Sequence, residues 1–203
     1  MSNPSTPATV FICCSIFQAE VEALRQTNWP DIAIRYQTSM LHMQPDRLAE
    51  RLDTVVGKEL KEGNRVLLIY GDCCLQITAL ESRPGVARIR GNNCCEMLLG
   101  HDEYRRLSHD GVFFLIHEWV GRWREVFTNQ LGLNKENATG LMRDMHRKLV
   151  YLDTGVVPVP EKTLNECAAY CGLPWEIRPV TLDMLRSAIT EAMTRLEVAG
   201  VTQ

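Results

Sequence analysis

Val66-Leu-Leu-Ile-Tyr70, followed at once by Gly71-Asp72-Cys73-Cys74, is the stretch on which the fold turns. Five consecutive apolar residues running into a glycine-containing turn show no polar alternation and are too short for an ordinary helix, so they read as a strand buried on both faces. Val10-Phe-Ile-Cys-Cys14 repeats that composition. Strands covered on both faces belong to parallel sheets, whose crossovers usually carry a helix. Residues 47–61 supply one, placing Leu48, Leu52, Val55, Val56 and Leu60 on one face and stopping at Gly63-Asn64.

Working outward, residues 32–36, 86–89, 113–116, 149–152 and 175–177 are further strand candidates. Residues 118–131 place Trp119, Trp123, Phe127 and Leu131 four apart, with Gly132 as the stop. Leu164, Cys167, Ala168 and Cys171 follow helical spacing between Pro160 and Gly172, and Leu185, Ala188, Ile189, Ala192 and Leu196 repeat it near the C-terminus. Strands alternating with helices predict an α/β fold, a mostly parallel sheet with helices on both faces, Rossmann-like, with a C-terminal helical segment. The expected organisation is a disordered tail over 1–9 and a single α/β domain over 10–203. Residues 160–203 would then form a helical appendage reached through a linker near 153–161.

Composition narrows the function. The 203 residues carry 22 basic and 25 acidic side chains, a formal charge of -3, which argues against a general affinity for nucleic acid or anionic membranes. A hydrophobic fraction of 45% excludes wholesale disorder. No apolar run approaches the roughly 20 residues that span a bilayer, and the start of the chain lacks a signal-peptide pattern, so a cytoplasmic protein is expected.

Cysteine carries the chemical information. Eight cysteines in a reducing compartment are not a disulfide framework, and they are not scattered. Cys13-Cys14, Cys73-Cys74 and Cys94-Cys95 are adjacent pairs, and Cys167 and Cys171 form a C-x3-C. The first pair closes a strand; the second and third follow strands by way of Gly71-Asp72 and Gly91-Asn92-Asn93. Ligands of open α/β sheets bind outside the carboxyl ends of the strands, so three strand ends can aim thiolates at one crevice. One cysteine from each pair makes three ligands. The competing reading is burial, because cysteine packs as a small hydrophobe; Cys167 and Cys171, on the apolar face of a helix, fit it best.

Asp72 and Glu96 flank the cysteine loops, where they can hydrogen-bond the ligands, act as acid/base groups or simply cap loops. His42 is either a fourth ligand or a loop residue. Asp144-Met-His146 begins like the D-x-H-x-x-G segment of base-off corrinoid binders, but Leu149 replaces its glycine and the site is rejected. Nucleotide-binding glycine motifs and the G-x-S-x-G elbow are absent.

Six segments occur in a specific order: Ile12-Cys-Cys14 with Glu20, Leu41-His42 with Pro45, Leu68 to Cys73, Gly91 to Gly100, Phe113-Phe-Leu and Leu149-Val-Tyr-Leu152. Together they resemble an uncharacterised family of archaeal and bacterial proteins, a domain of unknown function often encoded beside corrinoid-dependent methylamine-type methyltransferases. The family pattern reads A-C-G with a glutamate six residues on, Y-G-D-C-G, and H-C-Y-E-M. The resemblance implies that its three cysteines fall on Cys14, Cys73 and Cys94. This chain departs from the pattern at Cys74 for glycine, Cys95 for tyrosine and Asn93 for histidine, which removes a histidine ligand and enriches the site in sulfur.

Two classes of function follow. In the first, Cys14, Cys73 and Cys94 hold an iron–sulfur cluster, Cys74 and Cys95 offer extra ligands, and the resemblance implies an accessory or redox role in corrinoid-linked methyl metabolism. Zinc is the alternative metal, and a zinc-thiolate site would make the chain a methyl-transfer enzyme. In the second class the chain is a metal-free module that docks on a methyltransferase or corrinoid protein, with Trp119, Trp123 and Phe127 as an interaction face or as core.

Overall fold

The computed structural model describes residues 7–201. Residues 1–6 of the expected tail lie outside the described residues, and Thr9 already belongs to the first strand. Contacts divide the chain into two compact units, 1–94 with 185–203 and 95–184.

The first unit contains β1 (Thr9–Cys14), α1 (Gln18–Asn28), β2 (Ala33–Gln37), α2 (Pro45–Lys61), β3 (Arg65–Ile69), α3 (Ile77–Glu81) and β4 (Val86–Arg88). Its four strands form a parallel sheet in the order β2-β1-β3-β4. Central strands β1 and β3 are the two continuous apolar runs, and their residues alternate between two covered faces as strand geometry requires. Ile12, Val66, Leu68 and Tyr70 pack with Leu48, Leu52 and Val56 of α2 and with Ile77 and Leu80 of α3. Phe11 and Cys13 take the opposite face, where the Phe11 ring meets Trp29 edge-on at 5.8 Å between centroids. Here the C-terminal helix Asp183–Val201, whose residues from Leu185 belong to this unit, sends Arg195 Nη2 to the Arg88 carbonyl at 2.6 Å.

The chain enters the second unit within α4 (Cys94–Leu99) and continues through α5 (His101–His109), β5 (Val112–Leu115), α6 (His117–Gly121), α7 (Trp123–Glu125), a π-helical turn (Val126–Gln130), α8 (Ala138–Met145), β6 (Lys148–Asp153), α9 (Glu161–Cys171) and β7 (Trp175–Pro179). Strands β5, β6 and β7 form a second parallel sheet. Its core combines Leu149 and Tyr151 of β6 with Trp123, Phe127, Leu164, Cys167 and Cys171. Gly172 ends α9 at φ +64°, a left-handed conformation that favours glycine.

All seven expected strands form, within two parallel sheets flanked by helices. The segment 153–161 joins β6 to α9 inside the second unit, while residues 160–203 contain β7 and contribute to both units. The single helix expected over 118–131 is broken at Arg122 and ends in the π-turn. Side chains spaced four apart drift about 40° per step around an α-helix, and of the four only Trp123 and Phe127 are core residues. Leu131, past that turn, is exposed. Among the described residues, no helix is long and apolar enough to cross a membrane.

Candidate functional site

The carboxyl ends of β1, β3 and β4 lie side by side, because these strands are consecutive in the first sheet. Cys14 is the last residue of β1 and is half-buried. It shares a strand face with Ile12 and packs against the cluster containing Tyr70. Cys13 points to the other face, is fully buried, and lies near enough to Glu20 and Glu22 of α1 to feel their charges. The first doublet is therefore split across the sheet.

At the end of β3 the chain makes a close backbone crossing. The Asp72 N–H donates to the Asn92 carbonyl at 2.8 Å. A Cβ on Gly71 would sit 2.5 Å from that carbonyl oxygen and 3.0 Å from the Asn93 Cα. Only glycine leaves room for the two loops to meet, and their meeting brings the turn carrying Cys73 against the segment leading into Cys94. Arg88 ties the same edge from below, donating to Asp72 at 2.7 Å and Glu81 at 3.1 Å.

Cys73 is half-buried. Burial first, and the nearby charge of Cys94 second, push its thiol up to about 11, against backbone hydrogen bonding that lowers it. Cys74 is 1% exposed and joins the core beside Ile77 and Leu80, with burial raising its thiol. Burial also raises Cys13, strongly. Such thiols hold their protons at neutral pH, so thiolate chemistry here requires a compensating cation.

Cys94 opens α4 instead of lying in a loop, and it is the last residue of the first unit. Cys95 and Glu96 belong to the second. Glu96 is buried and pairs with His101 Nδ1 at 3.0 Å, whereas the Asp72 carboxylate is exposed and engaged by Arg88. His42 lies in a 3-10 turn (Ser39–Met43), where partial desolvation lowers its pKa. Cys167 and Cys171 are core residues of the second unit.

No disulfide joins any of the eight cysteines. Among the described residues, no group of three or more His, Cys, Asp or Glu side chains is arranged to hold a metal ion. Cys14 at the end of β1, Cys73 in the turn beyond β3 and Cys94 at the start of α4, beyond β4, thus form no closed ligand set.

Sequence reasoning passed over Tyr70, Gly71 and Arg88 as site residues. Tyr70 is 2% exposed, and its hydroxyl has no hydrogen-bond partner among the described residues. Burial first, and then the charges of Cys14, Cys13, Cys73 and Cys74, raise its pKa far above the ordinary phenol value. A buried polar atom at the head of a strand whose next loop carries cysteines was the available signal.

Residues 36–189 match the model of a family described as a protein of unknown function (DUF1638). No curated protein and no solved structure matched the chain.

Proposed function

The chain belongs to this family of unknown function, and from that premise we propose that it is a cysteine-ligated metalloprotein binding an iron–sulfur cluster through Cys14, Cys73 and Cys94. What supports the reading is the set of three half-buried cysteines at or beyond the carboxyl ends of three consecutive parallel strands, Cys14 closing β1, Cys73 in the turn after β3 and Cys94 opening α4 after β4, with the Gly71–Asn92 crossing holding the last two segments together. Soft thiolate donors select iron–sulfur clusters, zinc or copper(I) over hard cations. Under this reading Cys14, Cys73 and Cys94 would hold the group as thiolates and would have to lose their protons and reorient to do so, because metal affinity is coupled to proton release and local ordering. Three protein ligands leave one position for a substrate or an exogenous ligand.

The resemblance to proteins encoded beside corrinoid-dependent methyltransferases supports an accessory or redox role in methyl-group metabolism, with a corrinoid protein or methyltransferase as partner. Cys74, buried in the core, and Cys13, on the opposite face, act in packing under this reading.

Anaerobic purification followed by iron, zinc, cobalt and acid-labile sulfide analysis tests it. Iron with matching sulfide and a broad visible absorption is expected. Stoichiometric zinc in colourless protein replaces the cluster by a zinc-thiolate methyl-transfer site, and metal-free folded protein leaves a docking module.

A further inference from the structure

A cavity of about 560 Å³ opens at the amino ends of β1, β3 and β4, the edge of the first sheet away from the cysteine loops. Its walls include Pro7 ahead of β1, Arg65 opening β3, the Pro84-Gly85 turn ahead of β4, and Arg195 and Leu196 of the C-terminal helix, all within the first unit. Its size falls in the range of small-molecule sites, roughly 300–1,000 Å³. Arginine sets its charge. Arg83, also in the wall, is held by Asp53, and Arg88 is engaged by Glu81 and Asp72. Arg65 and Arg195 have no carboxylate partner among the described residues: Arg195 donates to the Arg88 carbonyl at 2.6 Å, and the Arg65 Nε is buried with no hydrogen-bond partner. A guanidinium keeps its charge at any physiological pH, and a buried N–H without an acceptor costs free energy. An oxyanion in the cavity offsets both.

We propose that this cavity binds the phosphate of a small organic phosphomonoester through Arg65 and Arg195. A tetrahedral dianion offers three oxygens, so it can engage two planar guanidinium forks at once and balance both charges, whereas a monocarboxylate fills one fork and balances one. Pro7, Pro84, Val86 and Leu196 give the cavity an apolar side for the organic part. The net charge of -3 exerts no general pull on anions, so selection falls to this local pair. Ligands of open α/β sheets ordinarily sit at the carboxyl ends of the strands, where helix N-termini favour negative charge. At the amino ends side chains must supply that attraction, and two uncompensated arginines do so here. The site is independent of the cysteine edge.

The test titrates the full chain with glycerol 2-phosphate at about pH 8, where the monoester is a dianion, and follows the phosphorus NMR line width at constant ionic strength set with chloride. Saturable broadening is expected for wild type and for Arg105→Gln, an exposed arginine of the second unit that serves as control. Arg65→Gln and Arg195→Gln are each expected to weaken binding about tenfold, the loss of a charge-assisted hydrogen bond. Replacing part of the chloride by acetate should leave the wild-type affinity unchanged. Arg195 also holds the Arg88 carbonyl, so Arg65→Gln, which breaks no hydrogen bond of the described fold, decides the case if the other variant misfolds. Absence of saturable binding to wild type overturns the proposal, as does wild-type affinity in folded Arg65→Gln or equal competition by acetate. None of these outcomes bears on the metal reading, which the metal analysis tests separately.

Discussion

Gly71 and Asn92 meet backbone to backbone: a Cβ on the glycine would lie 2.5 Å from the Asn92 carbonyl oxygen, which accepts the Asp72 N–H at 2.8 Å. This crossing joins the loop that ends β3 to the loop that follows β4, and it precedes Cys73 by two residues and Cys94 by two. The contact needs backbone to yield, since neither neighbour at that point is a flexible side chain.

Gly71→Ala is accordingly expected to destabilise the chain by about 1–3 kcal/mol, the usual cost of forcing extra volume into a packed site. It should also lower bound metal, because Cys73 and Cys94 are separated together with the loops. Chemical denaturation and metal analysis of the same preparation check both; a stable variant with reduced metal would locate the effect in the site alone.

Cys13 and Cys14 are neighbours in sequence but face opposite sides of β1. Cys13→Ala should leave the metal content unchanged and cost about 1 kcal/mol of stability through lost packing. Metal analysis that instead shows loss in Cys13→Ala and retention in Cys14→Ala would reverse the assignment of the ligand.

Cys167 and Cys171 are both fully buried beside Trp123, Phe127 and Leu164. The hydrogen bond between their thiols raises the pKa of Cys167 and lowers that of Cys171. Serine at either position places a more strongly solvated hydroxyl in that core, and a loss of about 1–3 kcal/mol in urea unfolding is expected. Metal content should not change in either variant.

Much of this architecture was legible because β1 and β3 are uninterrupted apolar runs. A strand buried on both faces leaves a composition signal that needs no partner to interpret. The helix of residues 94–99 was not legible: six residues contain too few turns to show a period, and Cys94-Cys95 after Gly91-Asn92-Asn93 looks like loop. That Cys14 closes a strand, and that Cys73 and Cys94 come in the chain after strands, followed from chain order, whereas which way each cysteine of a doublet turns depends on local geometry. Cys13 and Cys14 alternate across a strand; Cys74 turns into the core beside Ile77. Gly71 gave no sign of its role, since the atoms that exclude a side chain belong to a loop about 20 residues away.

Burial holds His146 below the ordinary histidine value of 6.5, and its ring stands edge-on to Phe113 at 5.1 Å. The unfolded chain therefore binds the proton more readily than the folded one as the pH falls, and stability is lost from the unfolded pKa down through the folded value. Desolvation gives His42 the same sign. Urea midpoints should fall between pH values of about 7.5 and 5.5, more steeply for wild type than for His146→Gln. Parallel slopes would show that His146 takes up its proton without resistance from the fold.

The most direct measurement is the metal content of Cys14→Ser, Cys73→Ser and Cys94→Ser after anaerobic purification, with Cys167→Ser and Cys171→Ser as controls. One site at the carboxyl edge of β1, β3 and β4 predicts that each of the first three loses most of its metal while both controls keep it. Full metal in all five variants, with each folded as wild type, would contradict a shared cysteine site.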